Sequence, residues 1–302
     1  MHPLALLKIP VKTEGIRAPF SAQKNIRLNM LRLDDIDGTV SGNKLFKLKY
    51  FLEEAVRSDH KTIVTFGGPY SNHLAATAAA CKQLDLKCIG VVRGEESKAE
   101  SETLKNCIKD GMEVNYVTRS AFAVMCEDAN AGLEQRFGPH IFVPMGGYGI
   151  TGMRGAAEIA SLIPEKTYTH ICCSVGTATT VAGLLSRNRQ EKIIGFAPFK
   201  NFTDLQDRFT HFGIENSVNF RLVTDYHFGG FGKINDDLIS FMNEFYLNNK
   251  IKLDIIYTGK MISGIFDMIK KGFFSDGSNI LAIHTGGLQG NCSLPSNTLN
   301  FL

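Results

Sequence analysis

The chain has 302 residues, 44% of them hydrophobic and 21% charged, enough to bury one large core or two smaller ones, which argues against disorder and fibrous repeats. Thirty-three Lys and Arg stand against thirty Asp and Glu, a net +3 with the basic residues scattered, so nucleic acid has little to hold and a small-molecule partner is expected. The apolar stretch at 4–9 is broken by Lys8 and closed by Pro10, too short for a signal-peptide core or a bilayer span, so a cytoplasmic chain without membrane contact is expected.

The first informative segment is 41–56. A helical period runs through Leu48, Phe51, Leu52, Ala55 and Val56, and Lys44 lies on that apolar stripe. Lys47 leads to Glu54 and Lys49 to Glu53, the pattern of a solvent face, so Lys44 alone is expected to point inward. A desolvated lysine has a lowered pKa and can act as an amine nucleophile, whereas a lysine in a first helical turn can also reach water along its own stem.

Downstream, short apolar runs at 62–66, 87–92, 113–117, 140–144, 170–175, 192–198, 253–257 and 279–284 read as strands. Helical patterns lie between them at 74–84, 121–137, 152–162, 236–247 and 261–271. The alternation predicts an α/β fold of open parallel twisted sheets with flanking helices. Glycines follow the strands at Gly67-Gly68, Gly146-Gly147, Gly176 and Gly286-Gly287, where loops at strand carboxyl ends converge on a ligand cleft. No linker separates two halves, so two domains would require the chain to cross between them more than once. The expected division is 1–50 with 160–302, and 51–159.

After 62–66 comes Gly-Gly-Pro-Tyr-Ser-Asn-His, which places Ser71 and Asn72 at a helix start able to hold a carboxylate or a ring oxygen; His73 reads equally well as a structural residue. Gly176, Thr177, Ala178, Thr179 and Thr180 link a strand to a helix start and form a phosphate cradle without the spacing of a nucleotide P-loop or a dinucleotide fingerprint, so a smaller phosphate is expected. Tyr226 and Tyr257 sit in glycine-containing clusters late in the chain and read by themselves as core-edge aromatics. The seven cysteines show no metal or redox spacing; Cys172 and Cys173 in particular read as buried thiols, and no metal is expected.

In order, Ser-Gly-Asn-Lys at 41–44, the 67–73 segment, Val-Pro-Met-Gly-Gly at 143–147, the 176–180 loop, Asp225-Tyr226, Tyr-Thr-Gly-Lys at 257–260 and His-Thr-Gly-Gly at 284–287 resemble the tryptophan synthase β-like, fold type II pyridoxal-phosphate enzymes. The resemblance is nearest to the branch of D-cysteine desulfhydrase and 1-aminocyclopropane-1-carboxylate deaminase. It implies pyridoxal 5'-phosphate in an interdomain cleft, bound covalently to Lys44, with Asn72 on the ring hydroxyl, 176–180 on the phosphate and Thr285 near the pyridine nitrogen. It also implies that Ser71, Tyr226 and Tyr257 face a small amino-acid substrate, and that the protein is a homodimer.

Two positions depart from the family pattern: Ala178 stands where the loop usually has glycine, and Thr258 where the deaminases resemble Tyr-Glu-Gly-Lys. A hydroxyl near the ring nitrogen makes a weaker electron sink than a carboxylate, so the resemblance favours β-elimination, with D-cysteine giving pyruvate, sulfide and ammonia. The alternatives are aminocyclopropane-carboxylate deamination, elimination from another D-amino acid, racemisation, or a non-catalytic phosphate-binding module.

Overall fold

The computed structural model describes residues 11–19, 25–36, 40, 42–95, 100–127, 132–215 and 217–302; the 4–9 stretch and Ser41 lie outside them. Two sheets form the framework. The larger has six strands in the order β1 (Thr13–Gly15), β2 (Arg27–Arg32), β10 (Asn279–His284), β7 (His170–Ser174), β8 (Lys192–Phe196) and β9 (Phe220–Val223). The smaller has four: β5 (Met112–Val117), β4 (Lys87–Arg93), β3 (Thr62–Gly67) and β6 (Ile141–Val143). Every pairing is parallel except that of β1 with β2.

The chain passes from the larger sheet to the smaller and back. The expected divisions at 50/51 and 159/160 fall inside α1 (Asn43–Arg57) and a 3-10 turn at Glu158–Leu162, so neither coincides with a linker.

Side-chain alternation along the strands assigns the layers. On the larger sheet, Leu31, Ile171, Cys173, Ile193 and Ile283 point to one face, where they meet α1, α7 (Thr179–Leu185) and α8 (Leu205–His211). This core also takes in α2 (Asn72–Gln83) and the smaller sheet's inner residues Ile63, Cys88 and Val92, so one apolar layer joins both sheets. Met30, Cys172, Ile194, Ile280 and Ala282 point the other way, onto α9 (Asp236–Asn249) and α10 (Thr258–Lys270). Val64, Phe66, Ile89 and Val91 form a third core with Phe122 on α4 (Arg119–Glu127) and Leu133 on α5 (Leu133–Phe137). Each fully buried side chain of this size contributes about 2 kcal/mol.

Seven of the eight expected strands are present. The eighth, 253–257, is a turn, because the Asp254 carboxylate accepts the backbone N–H groups of Ile256, Tyr257 and Thr258, the donors a strand ladder would need. The single helix expected over 121–137 is two helices, α4 and α5, and residues 128–131 between them lie outside the described set. Unforeseen elements are β1, β2, β9, α3 (Glu102–Lys109) and α8; all are short, and α3 is set by its Ser101 cap, which accepts the N–H of Leu104 at 3.2 Å.

α6 (Ile150–Ala157) packs directly on α1. A Cβ on Gly155 would stand 2.0 Å from the Phe46 carbonyl oxygen, so only glycine allows this approach, which closes the side of α1 that the hydrophobic period leaves polar.

Candidate active site

Gly42 and Asn43 start α1 against the end of β10. Asn43 N donates to the Thr285 carbonyl at 3.2 Å, and its side-chain amide donates to Thr180 Oγ1 at 2.8 Å, tying three predicted segments together. Lys44 is partly buried, and its amine donates to Asn43 Oδ1 at 3.1 Å. Burial lowers the Lys44 pKa to about 8, against the opposing charge of Asp254.

Lys47 corrects the expectation of a solvent face. It is only 4% exposed and donates to the Gly146 carbonyl at 3.2 Å and to Thr177 Oγ1 at 3.4 Å. Desolvation and then the Lys44 charge hold its pKa well below the usual lysine range. Helical periodicity missed it because α6 and the 144–149 turn enclose the first turn of α1, where Leu45, Phe46, Lys47 and Leu48 are all buried. Lys49 is paired instead with Glu158 at 2.6 Å.

The 176–180 loop lies beside these lysines. Thr177 and Thr179 share a hydroxyl hydrogen bond of 2.8 Å, and the first turn of α7 leaves backbone N–H groups without carbonyl partners. Ala178 takes a left-handed φ of 62°, which explains why glycine suits this position. Tyr257 reaches the same loop: a Cβ built on Gly176 would lie 3.2 Å from its hydroxyl. Burial raises the Tyr257 pKa, so it is a neutral phenol.

Ser71 caps α2, its Oγ accepting the N–H of Leu74 at 3.3 Å. Asn72 Oδ1 is buried without a protein partner, and its Nδ2 would be 2.7 Å from a Cβ on Gly287, which puts Asn72 against the loop carrying Thr285. His73 Nε2 lies 2.7 Å from Thr65 Oγ1, whose proton goes to the Val143 carbonyl, so Nε2 carries the ring proton. Burial, then Lys44 and Lys47, lower the His73 pKa to about 3, so it is a neutral brace that ties α2 to Thr65 on β3.

Tyr226 is not brought to this group. Its hydroxyl donates to Asp267 Oδ2 at 2.6 Å, and its ring packs against Gly264 and Phe196 in the core beneath α10. The aromatic beside Tyr257 is Phe231, with ring centroids 6.0 Å apart; it is 51% exposed and stacked on Phe199. Lys260 fixes that loop, donating to the carbonyls of His227 and Gly230 at 2.8 Å each while only 2% exposed. Phe231 stands between Gly230 and Gly232, five residues beyond Tyr226, and local spacing alone does not distinguish it from a core-edge aromatic. Thr258 is fully buried with its hydroxyl engaged by Asp254, and Thr285 is buried just past the end of β10.

Among the described residues no group of three or more His, Cys, Asp or Glu is placed to hold a metal, and no helix is long and apolar enough to cross a membrane.

A family model described as pyridoxal-phosphate dependent enzyme matches residues 11–286. Proteins of Pyrococcus furiosus and Pyrococcus horikoshii, each named "Putative 1-aminocyclopropane-1-carboxylate deaminase", are 29% and 30% identical over 294 and 280 residues, spanning 90% and 86% of this chain and 88% and 84% of theirs. A solved structure described as an ACC deaminase homologue is 27% identical, with a TM-score of 0.77 over 96% of both chains. A hydrogen sulfide-producing enzyme from Fusobacterium nucleatum, 15% identical with a TM-score of 0.67 over 94% of this chain and 95% of its own, shares the fold.

Proposed function

Because the chain belongs to the family of pyridoxal-phosphate dependent enzymes, we propose that it is a lyase that removes the α-proton and the β-substituent of a small amino acid, D-cysteine first among them. The products are pyruvate, hydrogen sulfide and ammonia, one water being consumed.

The residues fit the cofactor. Two lysines with lowered pKa values, the partly buried Lys44 and the buried Lys47, stand beside a threonine loop at a helix start, a positive cluster that a phosphate would balance. That pairing is the observation that carries the reading. Asn72 offers an unpaired buried amide oxygen beside the 285–287 loop, a polar group that a cofactor ring would satisfy.

When bound, pyridoxal phosphate supplies an electron sink for the α-carbon. Lys44 would hold the cofactor, and its amine of lowered pKa is suited to move the α-proton of a bound amino acid. Thr177, Thr179, Thr180 and Lys47 bind the phosphate. Ser71 and the start of α2 hold the substrate carboxylate. Tyr257, neutral and beside Gly176, orients the substrate through a phenol hydrogen bond.

Elimination is favoured over ring opening because the group assigned to the ring nitrogen is the Thr285 hydroxyl, while both oxygens of Asp254 are already saturated by four donors. The names of the Pyrococcus relatives support the other outcome, deamination of aminocyclopropane-carboxylate. Turnover of D-cysteine, L-cysteine, D-serine and aminocyclopropane-carboxylate on one preparation tests the reading. Sulfide release from D-cysteine exceeding all other turnover is expected; efficient aminocyclopropane turnover with little sulfide would overturn it. A homodimer is part of the same proposal, and sedimentation equilibrium tests it.

A further inference from the structure

Asp254 belongs to none of the assigned roles, yet its carboxylate is among the most completely engaged groups of the molecule. It is fully buried. Oδ1 accepts the backbone N–H groups of Ile256 at 2.9 Å and Tyr257 at 2.7 Å; Oδ2 accepts the N–H of Thr258 at 2.8 Å and its hydroxyl at 2.6 Å. The N–H of Asp254 returns to Thr258 Oγ1 at 2.8 Å, and Gly259 N donates to the Asp254 carbonyl at 2.8 Å. None of the ion pairs among the described residues includes it.

Four neutral donors stabilise the carboxylate without cancelling its charge. The location gives that charge a target. A Cβ on Gly287 would meet Asn72 Nδ2 at 2.7 Å and Asp254 Cγ at 3.6 Å, so the carboxylate stands beside Asn72, at the loop that follows Thr285. The turn it builds leads into Tyr257, whose hydroxyl lies over Gly176.

We propose that Asp254 is a positioning residue of this site: it folds the turn that delivers Tyr257 to the 176–180 loop, and it fixes a negative charge beside the 285–287 loop, against which the start of α1 that carries Lys44 is packed. The inference rests on the reading of Lys44 as the lysine that carries the cofactor.

The groups facing Lys44 come from four elements: Lys47 on α1, Cys173 on β7, His73 on α2 and Asp254 in the turn before α10. Burial pushes the Cys173 thiol up to about 12 and His73 down to about 3, so both are neutral near pH 7. Lys47 is of the same sign as Lys44. Asp254, and after it Cys173, oppose the fall of the Lys44 pKa, and of the two Asp254 is the one ionised near pH 7.

The test uses apoenzyme and follows the rate at which it takes up added pyridoxal phosphate, read as growth of the visible absorbance band across pH. Wild type is expected to show a midpoint near the Lys44 value of about 8. Asp254→Asn, whose single amide oxygen can still accept from Ile256 and Tyr257 while its NH2 replaces the acceptor of Thr258, is expected to move the midpoint down by about one pH unit, since an opposing charge nearby is worth that much or more. Asp254→Glu, which restores the charge, is expected to bring the midpoint back toward wild type. A folded Asp254→Asn protein, judged by far-UV circular dichroism, that keeps the wild-type midpoint would overturn the proposal. If Asp254→Asn does not fold, Asp254→Ser, another good capping residue, decides by the same criterion. Lys44→Ala run in parallel separates the two levels: a visible band that survives Lys44→Ala refutes the Lys44 assignment, whereas an unmoved midpoint with a Lys44-dependent band refutes only the role of Asp254.

Discussion

Lys47 lies one helical turn beyond Lys44 on α1 and is the more deeply buried of the two, its ammonium held between the Gly146 carbonyl and the Thr177 hydroxyl. Burial lowers both pKa values, and the Lys44 charge adds to the fall at Lys47. An anion bound at the 176–180 loop would relieve both costs at once.

Lys44→Ala is therefore expected to abolish the visible absorbance band and turnover while leaving the apoprotein at least as stable as wild type at pH 7. The folded pKa of about 8 lies below the ordinary value of 10.5, so the unfolded chain binds more protons between them. The cost of burying the ammonium is present in full below pH 8 and fades as pH rises toward 10.5. Urea denaturation of both apoproteins should show the advantage of the variant shrinking over that window.

Lys47→Met should weaken pyridoxal phosphate binding roughly 10- to 100-fold, the value of about 1.5–3 kcal/mol for a hydrogen bond to a charged group, with a much smaller effect on the rate at saturation. Thr179→Val with Thr180→Val should act in the same direction. The pair should also lower stability by about 1–3 kcal/mol, because the Asn43 amide loses its acceptor on Thr180. Equilibrium titration of apoprotein and thermal denaturation read the two effects separately.

Tyr226→Phe should change turnover by no more than about twofold, since the lost hydroxyl serves Asp267, which keeps its ion pair with Lys271 at 2.6 Å. Tyr257→Phe should lower kcat/KM clearly more, because its hydroxyl lies at the loop. Steady-state kinetics on one substrate with both variants make the comparison, and equal effects would return Tyr226 to the site.

Lys260→Met should destabilise the fold by roughly 1–3 kcal/mol by removing the charged donor of the His227 and Gly230 carbonyls, which keep only the backbone N–H groups of Gly230 and Lys233. It should also raise KM, because the loop those carbonyls belong to carries Phe231 beside Tyr257. The cofactor band should persist, which distinguishes Lys260 from Lys44.

Local sequence was sufficient for the alternating strands and helices, the glycines at strand ends and the placement of Lys44 on the inner stripe of its helix. Each is written in the spacing of neighbouring residues, so a period of 2 or 3.6 reveals it. Ser71 could be placed as a cap and Thr177 to Thr180 as a loop entering a helix for the same reason.

What spacing could not carry was decided by contacts distant in the chain. Lys47 is buried because Gly155, more than a hundred residues later, lets α6 close over the polar side of α1. The segment 253–257 has a strand's composition, but the Asp254 carboxylate takes two of its N–H groups and that of Thr258 just beyond it and makes it a turn. Tyr226 carries the right chemistry in the right cluster, yet its phenol is committed to Asp267 while Phe231 occupies the place beside Tyr257. Periodicity reports which face of an element is apolar; only tertiary packing decides what covers its polar face and which donor each buried acceptor receives.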